Sequence, residues 1–133
     1  MEKAADTFGG IDQIILNHAV APVGFLHLSK DPAGMAETVM KTNYGGYVHL
    51  AMAAMPYLKK SGVVNRKSRI ICISSGSAHE PMPTIAAYTA SKHANHGFFA
   101  ALRRELAMLK VNNLTVTIIT LGFIATETAL ANT

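Results

Sequence analysis

Tyr88 and Lys92 stand four residues apart in the run Tyr88-Thr89-Ala90-Ser91-Lys92, a spacing that can do proton chemistry. If the run opens a helix, both side chains share one face. An ammonium beside a phenol favours the phenolate, so such a tyrosine can exchange a proton with a substrate oxygen near neutral pH. Ser75 lies thirteen positions ahead of Tyr88, across a loop holding Glu80-Pro81-Met82-Pro83 that can return the chain to the base of the tyrosine helix. Its hydroxyl then comes near the phenol. Tyr-x3-Lys alone is common on solvated helices. Ser-x12-Tyr-x3-Lys, with an apolar strand before it and a long helix after it, is far more specific.

The elements that must position these groups are legible as alternating patterns. Three apolar runs, residues 11–16, 69–73 and 114–119, predict strands. The first two hold consecutive apolar residues, which suits burial on both faces in a parallel sheet. The third alternates Thr with Val and Ile and predicts one more polar face. Ser74-Ser75 falls directly after the second run, and ligand sites gather at the carboxyl ends of parallel strands.

A first helix is expected from about 35 to 58, with Asp31-Pro32 as cap and first turn. Gly45-Gly46 weakens its middle and Pro56 sits near its end. A second is expected from about 85 to 110, with Phe98, Leu102, Leu106 and Leu109 as its apolar stripe and Arg103, Arg104 and Glu105 off it. Strand, helix, strand, helix, strand describes consecutive parallel crossovers in an α/β fold. With sheet order following sequence, both right-handed crossovers put their helices on one sheet face. The other face and both edges are then open. This packing defect predicts that the chain is part of a larger domain or needs a partner.

Composition narrows the class. The 133 residues suit a single domain, 50% of them hydrophobic and 15% charged, which excludes extended disorder. The net charge of +4 reflects 12 basic and 8 acidic residues. Its densest cluster, Arg66-Lys67-Ser68-Arg69, reads as a solvated loop. No aromatic residues interleave with basic ones as a nucleic-acid surface requires. Cys72, the only cysteine, reads as a small buried hydrophobe. His93 and His96 lack a third ligand, so no metal site is expected. Met52 and Met55 read as core filler, whereas Met82, in the loop between Ser75 and Tyr88, is a pocket candidate. No stretch approaches the roughly 18 to 20 apolar residues that span a bilayer, and the first residues lack the apolar core of a signal peptide. The chain is expected to be soluble.

These residues together resemble the short-chain dehydrogenase/reductase family, over residues 9–129. Ser75, Tyr88 and Lys92 match three members of its catalytic tetrad, and Asn43, in Lys41-Thr42-Asn43-Tyr44, matches the fourth. Ile15-Leu16-Asn17-His18-Ala19 is similar to the segment after the family's fourth strand. Leu121-Gly122-Phe123-Ile124-Ala125-Thr126-Glu127-Thr128 resembles the segment after its sixth, with Leu in place of Pro. The L-N-H and T-E-T forms, with Gly97-Phe98-Phe99, look like the 11β-hydroxysteroid dehydrogenase branch. The related epimerase/dehydratase branch also uses Tyr and Lys, but the segment from Leu121 fits it poorly.

The resemblance implies an NAD(P)-dependent oxidoreductase interconverting a hydrophobic alcohol and ketone, a steroid-like one among the candidates, with NADP or NAD as cofactor and NADP favoured by the branch. Tyr88 would transfer the proton, and Ser75 would hydrogen-bond the same oxygen. Lys92 would assist Tyr88 and bind the nicotinamide ribose, and Asn43 would hold a relay water. Asn17, His18 and Ala19 would border the ribose. Ile124, Ala125, Thr126, Glu127 and Thr128 would contact the carboxamide and phosphate. Ser75 and Met82 would meet substrate, and His18 and His79 would shape the mouth.

The fold implied is part of a Rossmann-type doubly wound parallel sheet, strands four to six with their crossover helices, forming a single partial dinucleotide-binding domain. The family's T-G-x-x-x-G-x-G turn is absent from this sequence: Gly9-Gly10 precedes a strand and Gly45-Gly46 lies in a helix. The N-terminal half and last strand are accordingly expected to be missing. A homo-oligomer through the two long helices is expected, and the branch suggests the endoplasmic reticulum. The alternative is a truncated, non-catalytic chain that associates with a full-length relative.

Overall fold

The computed structural model describes residues 1–61 and 67–124. Three parallel strands, β1 (Gln13–Leu16), β2 (Ser68–Ser75) and β3 (Leu114–Leu121), form one sheet in the order β1-β2-β3. Cys72 sits at its centre, paired with Leu16 on one side and Ile118 on the other. The α/β class and the sequential parallel topology are therefore as the apolar runs predict. β2 is longer than the expected 69–73: Ser74 and Ser75 are its last two residues rather than the residues after it. Ladder pairing continues to Ser75 opposite Leu121, so the site serine is fixed by the sheet.

A short helix, α1 (Glu2–Phe8), precedes the sheet and ends on Gly9, whose φ of 75° is left-handed. The expected helix at 35–58 is two helices, α2 (Pro32–Met40) and α3 (Gly46–Ser61), joined by a π-helical turn at Lys41–Gly45. Asp31 caps α2, accepting the Gly34 N–H at 2.9 Å, with Pro32 in the first turn. The weakness read at Gly45-Gly46 takes the form of one widened turn rather than a break. Pro56 lies within α3, which continues to Ser61. The second long helix is α4 (Ala86–Met108).

The core lies between one sheet face and α3 and α4. Along α3, Tyr47, Ala51, Ala54 and Leu58 recur at helical spacing and are completely buried. The two alanines let the helix approach the sheet closely. On α4 the buried stripe is Phe99, Leu102 and Leu106, with Phe98 partly buried. Leu109 does not join it, because α4 ends at Met108 and Leu109 is 70% exposed. Met55 packs against the core, but Met52 is exposed and does not act as filler.

Burial along β2 alternates, with Ser68, Ile70, Cys72 and Ser74 covered by the helices. The opposite face presents Ile15, 58% exposed, and Ile119, 38% exposed. The strands thus carry apolar residues on two faces, and among the described residues only one face is covered.

Candidate active site

Ser75 ends β2, Asn17 follows β1, and Tyr88 stands in the first turn of α4. Tyr88 is the third residue of α4 and Lys92 stands one turn later, so the helix start places both on one face as the spacing requires. Lys92 is 2% exposed. Its Nζ donates to the Ile73 carbonyl oxygen of β2 at 3.0 Å and lies 5.4 Å from the Tyr88 ring centroid. Burial pushes the ammonium below the ordinary lysine value. A charged Cys72 would oppose that shift, but burial pushes this thiol up to about 11. At neutral pH Cys72 is uncharged and gives the ammonium no counter-ion.

Ser75 ends β2 and begins a single 3-10 turn, Gly76–Ala78. Its Oγ accepts from the Ser77 N–H at 3.3 Å and the Ser77 hydroxyl at 3.1 Å, which fixes its rotamer. That turn packs on α4. Ser75 and Tyr88 are both half-buried, and no hydrogen bond joins them among the described residues. Met82, 54% exposed, lies in the loop between them.

Asn43 occupies the π-helical turn and is completely buried. Its side chain accepts from the Val20 N–H at 2.8 Å and donates to the Val20 carbonyl at 2.8 Å, pairing with the loop after β1 as a strand would. The same amide donates to Ser91 Oγ at 3.1 Å, and Ser91 in turn donates to the Tyr88 carbonyl at 2.6 Å. The Asn43 carbonyl accepts from Asn95 Nδ2 at 3.0 Å. Asn95 Oδ1 is buried without a hydrogen-bond partner among the described residues. Asn43 therefore links the β1 loop, the π turn and α4, the three elements around the tyrosine and lysine. π turns of this kind recur at functional sites because they re-aim one side chain without ending the helix.

Asn17, His18 and Ala19 are exposed on the loop leaving β1. His18 lies over Gly46, where a Cβ would fall 2.6 Å from Nε2, and that nitrogen meets the Thr42 carbonyl at 3.2 Å. Ile124, 53% exposed, follows β3, while Ala125, Thr126, Glu127 and Thr128 lie outside the described residues. His79 and His96 meet edge to face with centroids 4.6 Å apart, and His96 Nε2 lies 2.8 Å from Ser74 Oγ. Burial, His79, His93 and Lys92 together hold the His96 imidazole below its ordinary value.

Sequence reasoning missed Tyr47, Ser91 and Asn95. Tyr47 is one turn beyond Asn43, and Asn95 is three residues beyond Lys92, so helical spacing from the two chosen residues could have found both.

The sequence profile of the short chain dehydrogenase family matches residues 1–132. A hydroxysteroid 11-beta-dehydrogenase 1-like protein of Xenopus tropicalis is 38% identical over 130 residues, covering 96% of this chain and 42% of the relative. The protein of the same name in Gallus gallus is 35% identical over 134 residues, covering 100% and 44%. An 11-beta-hydroxysteroid dehydrogenase A of Sesamum indicum is 34% identical over 127 residues, covering 96% and 34%. A crystal structure of a candidate short-chain alcohol dehydrogenase from Sinorhizobium meliloti superposes with a TM-score of 0.80 at 26% identity, covering 94% of this chain and 46% of that one. The chain spans less than half the length of each of these relatives.

Proposed function

The chain belongs to the short-chain dehydrogenase family, and on that premise we propose that it carries the proton-transfer site of an NAD(P)-dependent oxidoreductase acting on a hydrophobic alcohol or ketone. One observation carries the reading. A lysine 2% exposed, with its head on a strand carbonyl and 5.4 Å from the Tyr88 ring, is costly to fold and supports a catalytic use.

Tyr88 gives a proton to the substrate carbonyl oxygen in reduction and takes it from the hydroxyl in oxidation. Ser75, its rotamer set by Ser77, hydrogen-bonds the same oxygen. Lys92 stabilises negative charge that builds on the phenol oxygen as the proton leaves. Its ammonium has three donors, one of them on Ile73, and the others suit ribose hydroxyls. Asn43 holds a relay water near its carbonyl, where Asn95 Oδ1 is the unpartnered polar atom such a water would meet.

Nicotinamide, when bound, supplies or accepts the hydride, which no side chain can do. The donor set around Lys92, with exposed Asn17, His18 and Ala19, fits its ribose end. Ile124 and residues 125–128 would contact the carboxamide and phosphate, and Met82 the substrate. The family's glycine-rich turn, which would cradle the pyrophosphate, is not in this sequence. Hydroxysteroid dehydrogenase names among the relatives support a steroid-like substrate, and NADP is favoured by the branch resemblance alone.

The uncovered sheet face favours a second reading, a non-catalytic chain that associates with a full-length relative. Titration of the 133-residue chain with NADPH and NADH, followed by nicotinamide fluorescence, separates the two. Saturable binding that weakens about tenfold in Lys92→Met supports the oxidoreductase site. No binding of either cofactor supports the second reading.

A further inference from the structure

We infer that Tyr47 is a positioning residue for Lys92, a second tyrosine that holds the ammonium from below while Tyr88 faces it from the mouth. The importance of Lys92 to turnover rests on the function proposed above; the Tyr47–Lys92 link does not. Tyr47 is completely buried, the largest side chain in the core to be so. Its hydroxyl donates at 3.3 Å to the Ile73 carbonyl, the same oxygen that accepts from Lys92 Nζ at 3.0 Å. Its ring centroid is 5.2 Å from that Nζ, nearer than the 5.4 Å of Tyr88.

Two aromatic rings and one carbonyl thus compensate a desolvated charge that has no carboxylate partner among the described residues. Each ring contact lies inside the distance at which cation–π attraction matters, and attraction of this kind grows as water is excluded. The two tyrosines are not equivalent. Burial, then the neighbouring Cys72 and Tyr88, push the Tyr47 phenol well above its ordinary value, so it stays protonated and remains a donor to Ile73. It cannot take Tyr88's part in proton transfer.

Tyr47 also reaches the cofactor side of the site. The His18 ring packs edge-on against it, with centroids 4.7 Å apart and planes at 65°. His18 in turn rests over Gly46, the residue before Tyr47. One buried ring therefore stands between the loop after β1 and the lysine head. A substitution at Tyr47 releases Lys92 while leaving the Tyr88 and Ser75 side chains themselves unaltered.

The test is competitive acetylation of the 133-residue chain with acetic anhydride, read by mass spectrometry as the Lys92 rate relative to Lys59. Tyr47→Leu is expected to raise that ratio about tenfold, and Tyr47→Phe, which keeps the ring under Nζ, to stay near the unsubstituted value. Leu58→Ala, a comparable lesion three turns along α3, controls for general loosening and should leave the ratio unchanged at equal fraction folded. Equal ratios in Tyr47→Leu and Leu58→Ala overturn the proposal. Should Tyr47→Leu not fold, the unsubstituted chain decides the matter. Nuclear Overhauser contacts between the Lys92 ε-methylene and the Tyr47 ring, assigned with Lys92→Arg, support it, and their absence overturns it. Neither readout involves cofactor or turnover, so failure here leaves the oxidoreductase reading standing.

Discussion

At the scale of single residues, burial in this fold moves the ionisation of Lys92 and Cys72. Cys72 makes this measurable. Its thiol moves from an ordinary 9.0 to about 11 through burial. Between these values the unfolded chain loses a proton that the folded chain keeps, so stability falls as pH rises. Two pH units correspond to about 2 to 3 kcal/mol at full effect. Urea unfolding from pH 8 to pH 11 should therefore show a loss that Cys72→Ala reduces by about that amount. Lys92 works in the opposite sense, since its folded value is lowered and stability rises as pH climbs towards its unfolded value of 10.5. Equal alkaline slopes in the two proteins would contradict the assignment. Cys72, Tyr88 and Lys92 were all readable from the sequence, because an apolar neighbourhood and a four-residue spacing are local properties. Tyr47 was missed: its place one turn beyond Asn43 is a local signal, but its partner is a main-chain carbonyl 26 residues away, which no local pattern names.

Among the elements, the π turn at Lys41–Gly45 is the one the sequence could not supply. Gly45-Gly46 signalled weakness, but whether a helix breaks, bends or widens is decided by what packs on it. Here Asn43 pairs with both polar groups of Val20, and His18 occupies the space a Cβ on Gly46 would fill. These contacts span the gap between the β1 loop and α4. Asn43→Ala removes three hydrogen bonds at a completely buried position, with an expected cost of about 2 to 4 kcal/mol. Denaturant unfolding checks the figure, and a loss below about 0.5 kcal/mol would show that water replaces them. The strands were more legible. Their apolar runs gave number, order and direction, while the extension of β2 to Ser75 depended on pairing with Leu121, a partner distant in sequence.

For the molecule as a whole, the packing argument and the comparisons meet. Residues on one sheet face, Ile15 and Ile119 among them, stay exposed among the described residues, and the chain spans less than half of its relatives. Apolar sheet faces with open edges associate. Sedimentation velocity of the chain should show concentration-dependent self-association, weakened by the double substitution Ile15→Glu and Ile119→Glu on the uncovered face. If association persists in that variant and disappears on substituting exposed residues of α3 and α4, the helices form the contact, as the family resemblance implies. A monomer at all concentrations contradicts both. That a face would be uncovered could be read from crossover handedness alone. What covers it could not, since nothing in these three strands names the group that packs on them.

The central claim is that Tyr88 transfers the proton, and the most direct measurement is turnover of Tyr88→Phe beside the unsubstituted protein, with cofactor affinity taken on the same sample. Phenylalanine keeps the ring 5.4 Å from Lys92 and removes only the hydroxyl. The account predicts a fall in kcat of about 10²- to 10⁴-fold with cofactor affinity nearly unchanged. Turnover within a few-fold of the unsubstituted enzyme would contradict it.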